Sequence, residues 1–245
     1  RTLAVFDTPA DLAGTSVLTW SHALKPDDQW LYLPSLKRTK RIASKNKAAA
    51  FIGSEFAFED LSAWEVKKFR YRWIKDEKLD GNDCLVVENL PNYEESGYSR
   101  QVEWVDRNLY QPRRIDYYNL DGVLMKTMHF RNYKQYLGKH WRPGEQLMEN
   151  HLTGKSTRLT WHDWRFKTGL KNVDFTPDAM GRALHRQLAR HGQDPALARA
   201  MRQSGRAFER VHRIGGCEVD HARRSACLQA MPTSPGRQEH NIEHT

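Results

Sequence analysis

The chain has 245 residues, 39% hydrophobic and 28% charged, with 39 Lys and Arg against 30 Asp and Glu for a formal charge of +9. That length accommodates one large domain, or one domain with an appendage, around a substantial core, and no apolar run approaches the roughly 20 residues of a membrane-spanning helix. The positive balance favours anionic partners, but zinc-finger spacing, an RNA-binding strand signature and a basic recognition helix are missing, so no nucleic-acid partner is expected.

Thr15 to Trp20 reads as a strand after the Gly14 turn, and SHALKPDD is a polar turn into Trp30. In WLYLPSLKRTKRI, Trp30, Tyr32 and Pro34 alternate with Leu31 and Leu33, which predicts a strand buried on both faces and ended by proline. Phe51, Phe56 and Phe58 surround Gly53-Ser54, predicting a second aromatic strand with a glycine bend. Lys37, Arg38, Lys40, Arg41, Lys45 and Lys47 then form a cationic loop between the two. Phe69, Tyr71 and Trp73 alternate with Lys68, Arg70 and Arg72, so one face of that strand is dry and the other wet, as in an antiparallel sheet covered on one side. Asp80-Gly81-Asn82 turns into CLVVEN, and SRQVEWVD follows. Arg113–Tyr118 and Val123–Tyr133 flank an Asp121-Gly122 hairpin signal, and two strands, about Gln146–Leu152 and Ser156–Phe166, flank Thr153-Gly154-Lys155. This succession predicts a mainly antiparallel sheet built from hairpins, which must curl or be covered.

Composition changes after Trp164: no Trp or Tyr follows it, and no Lys follows Lys171. Thr176-Pro177 starts a helix carrying Met180, Leu184 and Leu188 on one face, and Asp194-Pro195 starts another that runs to Ile214. The remainder, rich in Ser, Pro, Gly, Arg and His, reads as disordered.

Candidate chemistry is sparse. Glu55, Glu59 and Asp60 cluster, and paired carboxylates perform general acid and base work when their environments separate their pKa values. Local capping beside the cationic loop is the simpler role. The three cysteines form no disulfide framework: Cys84 suits a packed strand, and Cys217, His221 and Cys227 match no established zinc spacing. No nucleophile elbow, phosphate loop or dinucleotide fingerprint occurs, so no cofactor, metal or catalytic residue is expected.

WLYLPSLKRTKRI and FIGSEFAFEDL, with FDTPADLAGTSVL, YSRQVEWVD and WRPGEQLMENHLTGKST in the same order around them, resemble the bacterial outer-membrane lipoprotein-sorting (LolA-like) family. Glu55 stands where the family usually has Asp. The resemblance covers residues 1–186 and implies an N-terminally truncated LolA-like β domain, a curved antiparallel sheet or incomplete β-barrel closed by a helical lid. Residues 187–245 are then an extension, part helical and part disordered. The resemblance further implies a periplasmic, non-enzymatic carrier or chaperone for lipids or lipoprotein acyl chains, its export signal absent from this chain. Trp30, Tyr32, Phe51, Phe56, Phe58, Tyr71, Trp73 and Trp104 are the expected lining of a hydrophobic cavity, and Arg38, Lys40 and Arg41 the expected contacts to an anionic head group or membrane surface. Two alternatives remain open: an accessory subunit of an inner-membrane transporter, and an envelope enzyme using Glu59 and Asp60.

Overall fold

Period-two alternation along most of the chain resolves into two antiparallel sheets facing each other across a filled interior. The computed structural model describes residues 1–6, 12–23, 25–161, 164–181 and 211–214. In chain order the strands are β1 (Thr2–Phe6), β2 (Ser16–Trp20), β3 (Asp28–Leu33), β4 (Arg38–Ile42), β5 (Phe69–Leu79), β6 (Asn82–Pro91), β7 (Arg100–Asp106), β8 (Pro112–Tyr118), β9 (Leu124–Arg131), β10 (Lys134–Tyr136), β11 (His140–Arg142), β12 (Glu145–Asn150), β13 (Ser156–Thr160) and β14 (Val211–Ile214). The five-stranded sheet runs β14-β1-β2-β3-β4 and the seven-stranded sheet β13-β12-β9-β8-β7-β6-β5, while β10 and β11 form a separate ribbon. Extra residues interrupt the register at Trp73/Lys75, Trp104/Val105 and Tyr117/Tyr118, and such bulges add twist, so the larger sheet curves without closing.

The smaller sheet packs apolar side chains on both faces, as the Trp30–Leu33 pattern predicts, with Thr2, Thr19 and Gln29 also on the inner one. Pairing of Leu3 with Leu18 and of Leu18 with Trp30 puts these side chains on the outer face, where Phe175 and Met180 cover them. The Trp20 indole sits edge-on to Trp30 at 4.9 Å and donates to the Phe175 carbonyl at 2.7 Å. Pairing of Ala4 with Val17 and of Val17 with Leu31 lines the inner face, which meets Ile115, Met128, Met148 and Leu159 of the larger sheet. Each such fully buried aliphatic side chain is worth roughly 1.5–3 kcal/mol. The far face of the larger sheet is polar: Glu88 pairs with Arg72 and Arg100, and Asp116 accepts from Arg114 and from the Thr127 hydroxyl.

Three expectations are corrected. Arg38–Ile42 is a strand, not a loop, because β3 offers its backbone a full set of partners and an edge strand tolerates exposed cations. Phe51–Phe58 is not a strand: one isolated bridge, Ala50 to Ala57, closes a compact loop. Val211–Ile214, expected at the end of the second helix, pairs with β1 as a strand, because the edge of β1 offers its backbone hydrogen-bonding partners. Thr176-Pro177 does begin a helical turn, but the expected lid helix beyond Gly181, the rest of the second helix and the disordered tail lie outside the described residues. Thr2–Phe6 and the β10–β11 ribbon were not expected from the sequence. No helix among the described residues is long and apolar enough to cross a membrane.

Candidate functional site

Residues 43–62, between β4 and β5, form a loop whose Phe51, Phe56 and Phe58 pack between the sheets. The Phe51 ring lies 5.2 Å from both Phe6 and Phe58, and with Phe56 these rings join the core shared by the two sheets. The loop is held by hydrogen bonds that exclude slack: Phe51 N–H donates to the Phe56 carbonyl at 2.6 Å, and Ser54 Oγ donates to the Phe51 carbonyl at 2.6 Å. Glu55 ties it to the larger sheet, its amide donating to Thr157 Oγ1 at 3.0 Å and its carboxylate accepting from Asn150 Nδ2 at 2.6 Å.

The packing leaves a cavity of about 160 Å³ beside these rings, walled by Phe6, Leu12, Val17, Ile52, Leu61 and Trp161 among others. In volume that is close to an engineered cavity of about 150 Å³ that accommodates benzene. Thr2, Thr19, Ser62 and Asp60 give part of the wall a polar character. Ile52 holds φ at +45°, a left-handed conformation that is costly for a β-branched residue and that accumulates at functional sites.

The carboxylates that sequence reading singled out are bound to neighbours. Asp60 accepts from the Ala57 amide at 2.6 Å, the Lys126 ammonium at 2.7 Å and the Tyr98 hydroxyl at 2.7 Å, and Lys126 also lies 5.1 Å from the Tyr98 ring centroid. Glu59 accepts from the Gly97 amide at 3.0 Å and is near the Tyr93 hydroxyl at 3.5 Å. Burial, reinforced by the adjacent Asp60 charge, pushes its pKa up to about 7. Among the described residues no group of three or more His, Cys, Asp or Glu could hold a metal ion. Cys217, His221 and Cys227 lie outside them.

From Trp161 a series of half-buried rings leaves the cavity wall. Trp161 donates its indole N–H to Gln146 Oε1 at 2.8 Å and stands 5.9 Å from Trp164, which stands 6.3 Å from Phe166. Tyr136 and His140 of the ribbon continue it, at 5.5 and 5.6 Å from Phe166.

Of the eight rings expected to line a cavity, Phe51 and Phe56 do so, and Phe58 packs directly behind them. Trp30 and Tyr32 lie on the outer face of the smaller sheet. Tyr71 and Trp73 share the inward face with Tyr117, but on the far edge strand, where Trp64 donates to the Tyr71 hydroxyl at 3.1 Å. Trp104 is on the polar far face, donating to Glu77 at 2.6 Å with the Arg114 guanidinium 4.6 Å from its ring. Arg38, Lys40 and Arg41 are all exposed on β4, where Arg41 pairs with Asp28. Sequence reading did not single out Phe6, Val17, Ile52, Leu61, Leu159 and Trp161; Val17, Leu159 and Trp161 carried the one available signal, period-two spacing on an expected strand.

A protein-family model described only as an uncharacterized protein matches residues 1–182. No curated protein matches the chain. Among solved structures, an outer membrane lipoprotein-sorting protein domain from Vibrio parahaemolyticus is 50% identical over 74% of this chain and 77% of that one, with a TM-score of 0.72. A DUF1329 family protein from Desulfovibrio piger is 33% identical over 73% and 75%, with a TM-score of 0.68. A LolA superfamily protein from Nitrosomonas europaea, 21% identical over 73% and 77% with a TM-score of 0.54, shares the fold. On the first two relationships and the five ordered motifs, the chain belongs to the outer-membrane lipoprotein-sorting, LolA-like family.

Proposed function

We propose that the protein is a non-enzymatic periplasmic carrier that shelters lipid or lipoprotein acyl chains between its two sheets. The observation that supports this most is the residual cavity of about 160 Å³ walled largely by aromatic and aliphatic side chains, in a member of a lipoprotein-sorting family. The apolar part of such a wall favours hydrocarbon through burial, at roughly 25 cal/mol per Å². The strained Ile52 in the wall fits a loop shaped for a ligand rather than for stability alone. Asp60 spends its oxygens on an amide, an ammonium and a phenol, and Glu59 does not line the cavity, which supports structural roles for both over catalysis.

On this reading Phe51, Phe56 and Phe58 form the floor on which a chain rests, and Arg38, Lys40 and Arg41 on the exposed edge strand meet an anionic surface. Native mass spectrometry of the protein incubated with bacterial lipid extract tests it. A retained lipid, displaced when Val17→Trp fills the cavity, is the expected result. A protein that emerges empty from every lipid class, as a subunit docking on a transporter without exchanging ligand would, overturns the carrier reading.

A further inference from the structure

The cavity holds about six carbons, the size of one benzene, which is far less than a membrane-lipid acyl chain, so most of such a chain has to be covered elsewhere. The ring series is the continuation the structure offers. Trp161 belongs both to the cavity wall and to the series, and Trp164 and Phe166 follow in two steps of 5.9 and 6.3 Å. All three are half-buried rather than enclosed in the core.

Charge around the series is predominantly positive. Lys134, Lys139, Arg165 and Lys167 are exposed beside it, and across 131–142 and 161–171 the sequence has a single acidic residue, Asp163, which lies outside the described residues. Among the described residues none of these four cations enters an ion pair, whereas Arg131 and Arg158 nearby are both taken by Glu145. Half-buried rings rimmed by an excess of cations match an amphiphile with an anionic head.

Resting on the carrier reading, we propose that Trp161, Trp164 and Phe166 form an external track for the part of an acyl chain that the cavity cannot hold, and that the cations of the ribbon and of 165–167 bind the lipid's anionic head group. The occupant is an anionic phospholipid, its chain tip in the cavity and its phosphate at Lys139 and Arg165.

The full chain labelled with 5-fluorotryptophan, its eight resonances assigned by single Trp→Phe changes, tests this with sixteen-carbon lysophosphatidylglycerol as probe and lysophosphatidylcholine as the zwitterionic comparison. The expected result is a shift of the Trp161 and Trp164 resonances with Trp104 unmoved, and tighter binding of the anionic lipid. Charge reversal of the exposed pair, Lys139→Glu with Arg165→Glu, then lowers affinity for lysophosphatidylglycerol by about tenfold or more and removes the head-group preference. Lipid retained in mass spectrometry with Trp164 unshifted, or with unchanged head-group preference in the charge-reversed protein, overturns the track and leaves the carrier reading standing. Absence of any lipid binding overturns both.

Discussion

The Lys126 ammonium lies 2.7 Å from the Asp60 carboxylate, and with side-chain exposures of 4% and 1% the two charges are almost cut off from water. The contact joins the inward loop to β9, and the Tyr98 hydroxyl and Tyr117 ring close it in. A buried pair is a poor source of net stability, yet removing one partner strands the other charge. Lys126→Met is therefore expected to lower the unfolding free energy by about 3–5 kcal/mol, read as a shift of the urea midpoint. Asp60→Asn with Lys126→Met should recover part of that loss.

Glu59 makes stability depend on pH. Its folded pKa of about 7 lies above its ordinary 4.5, so the folded state holds the proton more tightly than the unfolded chain. The stability this provides is complete below pH 4.5 and is lost as pH rises through about 7; two and a half pH units at about 1.4 kcal/mol each come to about 3 kcal/mol. His129, on the far face of the larger sheet, has its pKa lowered by burial and acts in the opposite direction, so the variant must be compared with the parent. Glu59→Gln, which keeps an acceptor for the Gly97 amide, is expected to be more stable than the parent at pH 8 and indistinguishable from it near pH 4.5 in denaturant titrations.

Gly97 is required by close approach rather than by a turn. A Cβ there would stand 2.7 Å from Ala48 Cβ and 3.3 Å from Glu59 Oε1, and neither a methyl group nor a hydrogen-bonded carboxyl can step aside freely. Gly97→Ala should cost roughly 1–3 kcal/mol in calorimetric or denaturant unfolding, with the loss reduced in Glu59→Ala.

The exposed cations of β4 provide a membrane test. Arg41 pairs with Asp28, so its reversal would disturb the sheet, whereas Arg38 and Lys40 are exposed and can be reversed without breaking an ion pair among the described residues. Arg38→Glu with Lys40→Glu is expected to weaken co-sedimentation with anionic vesicles by about tenfold at unchanged melting temperature. Equal sedimentation of both proteins would remove β4 from the membrane contact.

Turn chemistry and alternation made the larger sheet legible. Gly81 and Gly122 hold φ at +80° and +77°, and their Asp-Gly contexts marked the β5–β6 and β8–β9 hairpins in advance. The smaller sheet was harder to read because its backbone partners are not implied by side-chain pattern: β4, with three cations in five residues and Ile42 as its one apolar side chain, has no apolar face to announce it. Phe51–Phe58 has the composition of a strand because it fills a core, and a loop that fills a core is selected for the same rings. Trp104 misled for a related reason: an indole stacked under Arg114 on the wet face of a sheet cannot be told from a core tryptophan by its identity.

The filler of the interior is a length of the same polypeptide that ties one wall to the other. Residues 43–62 enter from Ile42 and the chain regains a wall at Phe69, while Glu55 and Asp60 clasp β12, β13 and β9. On the carrier reading, a guest that displaces Phe51 or Phe56 would pull on strands at both ends of that tether, so filled and empty forms are expected to differ in the tension along this seam.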